Sequence, residues 1–157
     1  MTLTALSEMR ILLLELHPDS LTKVSLKQLF EQYLKPIQSR RGFQLFIDID
    51  DGPPPPPDIQ IALYRITQEA LNNIDKHAKA SVVHVIVHNN PNALKLVVRD
   101  NGIGFDLAQI SPTSLGLGFM HERAEAIDAS LHIESQIGHG TQITLQWKRQ
   151  RDTINGQ

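Results

Sequence analysis

The sequence predicts an α+β domain in which a mixed, mainly antiparallel sheet packs one face against helices. Three observations lead there. Apolar residues recur at three-to-four spacing in four separate stretches, they alternate in five shorter ones, and the turn-rich link Asn89-Asn90-Pro91-Asn92 joins two of the alternating stretches as a hairpin.

In chain order, Leu6, Met9, Leu13 and Leu16, with Ile11, Leu12 and Leu14 between them, predict a helix that is apolar over most of its surface and stops at Pro18. Ser25-Leu26-Lys27-Gln28 has the form of a capping box, where serine and glutamine side chains bond each other's backbone N–H groups. It precedes an amphipathic helix carrying Leu26, Leu29, Phe30, Tyr33, Leu34 and Ile37. Phe43, Leu45 and Ile47 alternate as a short strand. The run Pro53 to Pro57 holds five of the nine prolines and can only be extended chain or loop, so it divides an N-terminal preface from a longer body. Asp58 is the expected N-cap of a helix from about Ile59 to Ala78. Strands are then expected at Val82 to Val87 and Leu94 to Val98, a loop from Asp100 to Ser114, and a helix carrying Leu117, Met120, Ala124 and Ile127. Strands at Leu131 to Glu134 and Gln142 to Trp147 close the body, and Lys148 to Gln157 reads as a polar tail.

With 157 residues the chain is one domain's worth, and 41% hydrophobic against 20% charged residues is a globular balance. Fifteen basic and 17 acidic residues leave a net charge of −2, so no sequence-wide positive field exists to hold nucleic acid or an anionic membrane. Zero cysteines remove disulfides, thiolate zinc sites and cysteine nucleophiles together. No apolar run approaches the roughly 18 residues of a membrane span, and the expectation is a soluble, cytoplasmic domain.

Chemistry concentrates in the second half. Six of nine glycines form the pairs Gly102/Gly104, Gly116/Gly118 and Gly138/Gly140, beside predicted loops or element ends. Glycine there permits positive φ and close approach of backbone N–H groups to a phosphate chain. Neither a Gly-x-Gly-x-x-Gly after a strand nor a Gly-x-x-x-x-Gly-Lys is present, so the dinucleotide fold and the P-loop are unsupported. On the helix Tyr64 to His77, Leu63, Ile66, Ala70, Leu71 and Ile74 share one arc, and Arg65, Glu69, Asn72, Asn73 and Lys76 share the opposite one. That second arc is either an ordinary solvated face or a site where an amide oxygen meets Mg²⁺ and a lysine offsets phosphate charge. Asn101-Gly102 after the strand Leu94 to Val98 reads as a hairpin turn or as a ligand loop. The residues after it do not alternate as a returning strand. In the loop reading, the Asp100 carboxylate can accept from the exocyclic amine of adenine and repels the carbonyl of guanine.

The ordered set Glu69-Ala-Leu-Asn-Asn73-Ile-Asp-Lys76-His77, Asp100-Asn-Gly102-Ile-Gly104-Phe-Asp106, Leu115-Gly116-Leu117-Gly118 with Arg123-Ala124, and Gly138-His-Gly140-Thr141 resembles the ATP-binding domain of bacterial sensor histidine kinases. These belong with gyrase, Hsp90 and MutL in one ATPase superfamily. The subfamily resembled is the one paired with LuxR/NarL-type response regulators, and Ser7 to Pro18 is similar to the second helix of its dimerisation hairpin. The resemblance implies a Bergerat-type two-layer α+β sandwich. It divides the chain into a hairpin remnant (1–18), the catalytic domain (19–148) and a polar tail (149–157).

It implies ATP and Mg²⁺ as cofactors, with Asn73 the metal ligand and Glu69 the acidic residue that polarises the attacking group or its water. Lys76 and His77 would face the phosphates, and Asp100 would bind the adenine amine beside Gly102 and Gly104. Asp106 to Ser114 would form a lid, Gly116, Leu117 and Gly118 would open a phosphate-facing helix, and Thr141 would support the pocket through Asp100. The implied activity is transfer of the ATP γ-phosphoryl group to a histidine outside this chain, because none of its seven histidines has the acceptor context; the chain alone would be inactive. Implied partners are the acceptor hairpin, a response regulator and a second copy in the full-length protein. Two other activities remain open: a nucleotide switch without catalysis, and a hydrolase or serine kinase of the superfamily. The sequence departs from the pattern at Asp75, Ser114, Phe119 and His121.

Overall fold

In the computed structural model, which describes residues 18–40, 42–111 and 116–150, a five-stranded sheet carries three helices on one face. The expected helix over Leu6 to Leu16 lies outside the described residues. A 3₁₀ turn, Pro18–Leu21, leads to α1 (Leu26–Gln38), where the capping box forms as expected: Gln28 N–H donates to Ser25 Oγ at 3.1 Å and Ser25 N–H to Gln28 Oε1 at 3.2 Å. Strand β1 (Gln44–Ile49) follows, then α2 (Pro57–Asn73), which runs into a π turn (Ile74–Ala78). Next come β2 (Val82–Asn89), β3 (Ala93–Asp100), α3 (Leu117–Ala126), β4 (Ser130–Gln136) and β5 (Gly140–Lys148).

The strands lie in the order β1-β2-β3-β5-β4; β1 and β2 are parallel and every other pair is antiparallel. Alternation decides which residues face the helices: Val83, Val85 and Val87, Leu94, Leu96 and Val98, and Ile143 and Leu145 are buried on that side. They meet Leu29, Phe30 and Leu34 of α1, Leu63, Ile66 and Ala70 of α2, and Met120 and Ala124 of α3 in one core. Tyr33 and Tyr64 join α1 to α2 edge to face, centroids 5.4 Å apart.

Two expectations need correction at the site helix. Asp58 is not its N-cap: α2 starts at Pro57, Pro56 is the capping residue, and no side chain caps the end. Proline suits the first helical position, where its fixed φ is already helical and its missing N–H would have had no partner. Asp58 instead lies in the first turn, where a carboxylate complements the helix dipole. At the other end the α-helix stops at Asn73, and Ile74–Ala78 continues with wider π geometry until Lys79 ends it at φ 49°. Arg149, expected in the polar tail, is tied into the domain: its guanidinium donates to the carbonyl oxygens of Asn90 and Pro53 and to Asn89 Oδ1.

Candidate functional site

The C-terminal half of α2, the end of β3 and the start of β5 converge on a cavity of about 260 Å³. Asn73 and His77 reach it from the helix and its π turn, Asp100 from the last position of β3, and Thr141 from β5. Ile74, Val98, Ile103, Phe105, Leu117 and Ile143 supply apolar wall. A small apolar chamber with a few convergent polar groups is the form ligand sites take.

Asp100 is 6% exposed, the one buried carboxylate among the described residues. Burial pushes its carboxyl above the ordinary aspartate value, while the Gly102 and Thr141 backbone N–H groups pull it down. The Gly102 N–H donates to Asp100 Oδ1 at 2.8 Å, and Thr141 lies opposite Asp100 in the β3–β5 ladder. One carboxylate oxygen is thereby occupied by its own turn.

Asn101 and Gly102 do not form a hairpin, because β3 already has β2 and β5 as its neighbours. The segment crosses the sheet end instead, held from both sides. Asn101 Oδ1 accepts from the Ser81 and Val82 N–H groups, each at 2.9 Å, and its Nδ2 donates to Ser81 Oγ at 2.8 Å. The Ile103 N–H donates to the Ala78 carbonyl at 2.7 Å, the Gly138 N–H donates to the Ile103 carbonyl at 2.7 Å, and the Phe105 N–H donates to Ser135 Oγ at 2.9 Å. Glycine is required twice in this crossing: a Cβ on Gly102 would overlap the Ala78 carbonyl, and one on Gly104, at φ 63°, would overlap that of Gln136.

Of the residues expected at the site, Asn73, His77, Asp100, Gly104, Leu117 and Thr141 share the cavity, and Gly102 shapes it through Asp100 and Ala78. Lys76 is exposed on the π turn and is not on the wall. Gly116 caps α3 at φ 66° and Gly118 lies in its first turn; neither lines the cavity. Glu69 faces a second groove of about 410 Å³ beside Arg65, Phe119 and Arg123, and its carboxylate lies so close to Gly116 that a Cβ there would overlap it. A carboxylate beside the start of α3 complements that end of the helix dipole. Of the expected lid, Asp106 to Ser111 is described and forms a turn, with the Ala108 N–H on Asp106 Oδ1 at 3.0 Å; 112–115 lie outside the described residues. Among the described residues no three His, Cys, Asp or Glu side chains cluster as a metal site.

Sequence reading missed Asn101 and Ser135 as organisers of the site, and Ile103, Phe105 and Ile143 as wall. Ile143 had a usable signal, since it is two residues beyond Thr141 on a strand and shares its face. Ser135 had none, because its partners Phe105, Gly140 and Thr141 lie on two other segments.

Residues 58–151 match the family described as histidine kinase-, DNA gyrase B-, and HSP90-like ATPase. The chain belongs to this family. Similar curated proteins are the signal transduction histidine-protein kinase/phosphatase DegS of Brevibacillus brevis, 34% identical over 148 residues, and the sensor histidine kinase LiaS of Bacillus subtilis, 38% identical over 141. The alignments cover 92% and 90% of this chain but 38% and 39% of those relatives, so the chain spans about two fifths of their length. Among solved structures, the histidine kinase domain of the Erythrobacter litoralis EL346 blue-light activated histidine kinase superposes with a TM-score of 0.68 at 20% identity. That alignment covers 80% of this histidine kinase-type ATPase chain and 61% of the other. At that identity the likeness bears on the fold alone, and it agrees with the α+β sandwich. Among the described residues no helix is long and apolar enough to cross a membrane.

Proposed function

We propose that this ATPase-family chain binds Mg-ATP and passes the γ-phosphoryl group to a histidine on a separate helical hairpin. The observation that carries the reading is the single cavity joining Asp100 at one end to Asn73 and His77 on the site helix. Asp100 accepts from the adenine amine with the carboxylate oxygen that Gly102 leaves open. Its aspartate burial excludes competing water and strengthens the contact. The apolar wall holds the flat faces of the base, and the triphosphate extends toward Asn73, His77 and, at the rim, Lys76.

The donor set suits magnesium: an amide oxygen, with no cluster of three carboxylates or histidines among the described residues, is what an ion that keeps waters and phosphate oxygens needs. When bound through Asn73, magnesium neutralises charge on the triphosphate. The chain's own contribution is position. Asn73 and His77 fix the phosphates, and Leu117, on the same wall, brings the start of α3 beside them. Glu69, held beside Gly116, polarises the incoming imidazole or its water. The acceptor hairpin, a response regulator of LuxR/NarL type and a second copy of the full-length protein are the proposed partners, in the cytoplasm.

Titration calorimetry with ATP and GTP, each with and without Mg²⁺, tests pocket, base choice and metal together. ATP is expected to bind, GTP to fail, and Mg²⁺ to tighten ATP. Equal affinity for both nucleotides removes the Asp100 assignment. Adding a hairpin fragment that carries an acceptor histidine, with labelled ATP and Mg²⁺, is expected to give acid-labile phosphate on the fragment. Nucleotide binding without transfer identifies a switch module instead, and phosphate release abolished by Glu69→Ala identifies a hydrolase.

A further inference from the structure

We propose that the sheet face opposite the helices docks an acidic, extended segment of a partner protein. Its carboxylates meet Lys95 and Arg99, and an apolar side chain between them sits on Val97. This surface is separate from the nucleotide cavity, which lies on the helix side of the sheet.

Alternation defines the face. Because Leu94, Leu96 and Val98 turn toward the helices, Lys95, Val97 and Arg99 of β3 turn away from them. β3 is the central strand of five, so this triplet runs down the middle of the open side. Lys95 and Arg99 are exposed, four residues and therefore about 14 Å apart along the strand. Val97 between them is only 8% exposed, although the three described helices all lie on the other side. Its ladder partner Ile86 is half-buried and widens that apolar saddle.

The acids of this face are engaged or stand at its margins. Glu134 on the edge strand β4 bonds His132 at 3.0 Å. Asp50 Oδ2 lies 3.7 Å from His88 Nδ1 and accepts the Asn89 N–H at 3.1 Å, and Asp48 is on the opposite edge strand β1. The ladder neighbours of Arg99 are His84 and Gln142, and those of Lys95 are His88 and Gln146, so neither cation faces a carboxylate across a strand. Among the described residues neither has an ion pair. Lys148, two residues beyond Gln146 on β5, adds a third cation at the Lys95 end. A chain of net charge −2 thus carries an uncompensated basic stripe along its central strand.

At the Arg99 end the face opens into a cleft of about 640 Å³. Arg99, His84 and His139 line it and can share one carboxylate, while Glu134 on the same wall is held by His132. Phe46, 44% exposed, stacks on His84 with ring centroids 4.9 Å apart and gives the rim an apolar edge. In an extended segment residues i and i+4 are about 14 Å apart on one face with i+2 between them, so acid, apolar and acid at those positions match Arg99, Val97 and Lys95. Nucleic acid and anionic membranes match poorly, because they present closely spaced phosphates that Asp48 and Glu134 on the two edge strands repel.

The probe is a seven-residue peptide, capped at both ends, with glutamates second and sixth and leucine fourth, titrated against the full chain by fluorescence anisotropy at low salt. A peptide of the same composition with adjacent glutamates reaches one cation at a time and is expected to bind about two- to fivefold more weakly, the worth of one exposed ion pair. Arg99→Gln and Lys95→Gln are each expected to weaken the spaced peptide by about two- to fivefold, and rising salt to weaken it further. Both side chains are exposed, so the urea midpoint is expected to hold; if Arg99→Gln does not fold, Lys95→Gln carries the same test. Equal affinity for the two peptides, binding of neither, or a spaced-peptide affinity untouched by the variants overturns the inference. So does a single-stranded oligonucleotide or a phosphatidylserine vesicle that binds more tightly than the spaced peptide and is weakened by the same substitutions, which would assign the stripe to phosphate.

Discussion

Asp100 carries a carboxylate where water barely reaches, and two opposed consequences follow. Burial raises its carboxyl, so the folded state is favoured by the protonated form. That contribution to stability is complete below the ordinary aspartate range and is lost as pH rises through the raised value. At neutral pH Asp100→Asn is therefore expected to unfold at a urea concentration no lower than the parent chain, with the difference closing as pH falls. Nucleotide affinity moves the other way. The Gly102 N–H holds Oδ1, so in the variant the amide nitrogen takes the open position and meets the adenine amine donor to donor. ATP is expected to bind about 10- to 100-fold more weakly by calorimetry, since bonds to charged acceptors contribute roughly 1.5–3 kcal/mol. In the parent chain, ATP affinity is expected to decline as pH drops through the raised Asp100 value, because only the ionised carboxylate accepts from the amine. A pH series that is flat down to the ordinary aspartate range sinks that account. Gly104→Ala combines strain at φ 63° with backbone overlap at Gln136, and is expected to lower stability by about 1–3 kcal/mol and weaken ATP together.

Among the elements, α2 has two tasks on two faces: Leu63, Ile66 and Ala70 fill the core, while Glu69 and Asn73 face the grooves. The π turn at its end lets His77 reach the cavity and leaves Lys76 at the exposed rim. Helix α1 puts no residue on the wall of the Asp100 cavity and reaches only the Glu69 groove, through Tyr33, which makes its N-terminus a control for ATP binding. Ser25→Ala removes the capping box and is expected to cost about 1 kcal/mol in urea unfolding while ATP affinity stays within error. A change in affinity would show that α1 packing reaches the pocket through Tyr33 and Tyr64. The capping box, the hairpin at Asn89 to Asn92 and all five strands were legible because each depends on neighbours within a few residues. The start of α2 was misplaced because Asp58 and Pro57 both announce a helix, and the proline's preset φ governs the first position.

Across the whole molecule, the end of the described chain is fastened to its middle. Arg149 bonds the Pro53 carbonyl at 2.6 Å and Asn89 Oδ1 at 2.8 Å, and its guanidinium lies 5.5 Å from the Trp147 ring centroid. Asn89 Nδ2 also donates to the Pro53 carbonyl at 3.0 Å. The proline run that begins α2 is thus held by strands from both halves of the body. Arg149→Ala is expected to lower stability by about 1–2 kcal/mol in urea unfolding, and no change would assign those contacts to solvent. The sequence by itself determined the order and kind of the main elements and the family resemblance, since periodicity, turn chemistry and motif spacing are local properties. Only the tertiary structure decided that Asn73, His77, Asp100 and Thr141 share one chamber while Glu69 faces another, and that Ser135 touches Thr141 and Phe105. The Ser135–Thr141 contact spans six residues and is set by the β4–β5 register, while the chamber joins segments far apart in the chain, and the sheet order that brings them together comes from packing one continuous core.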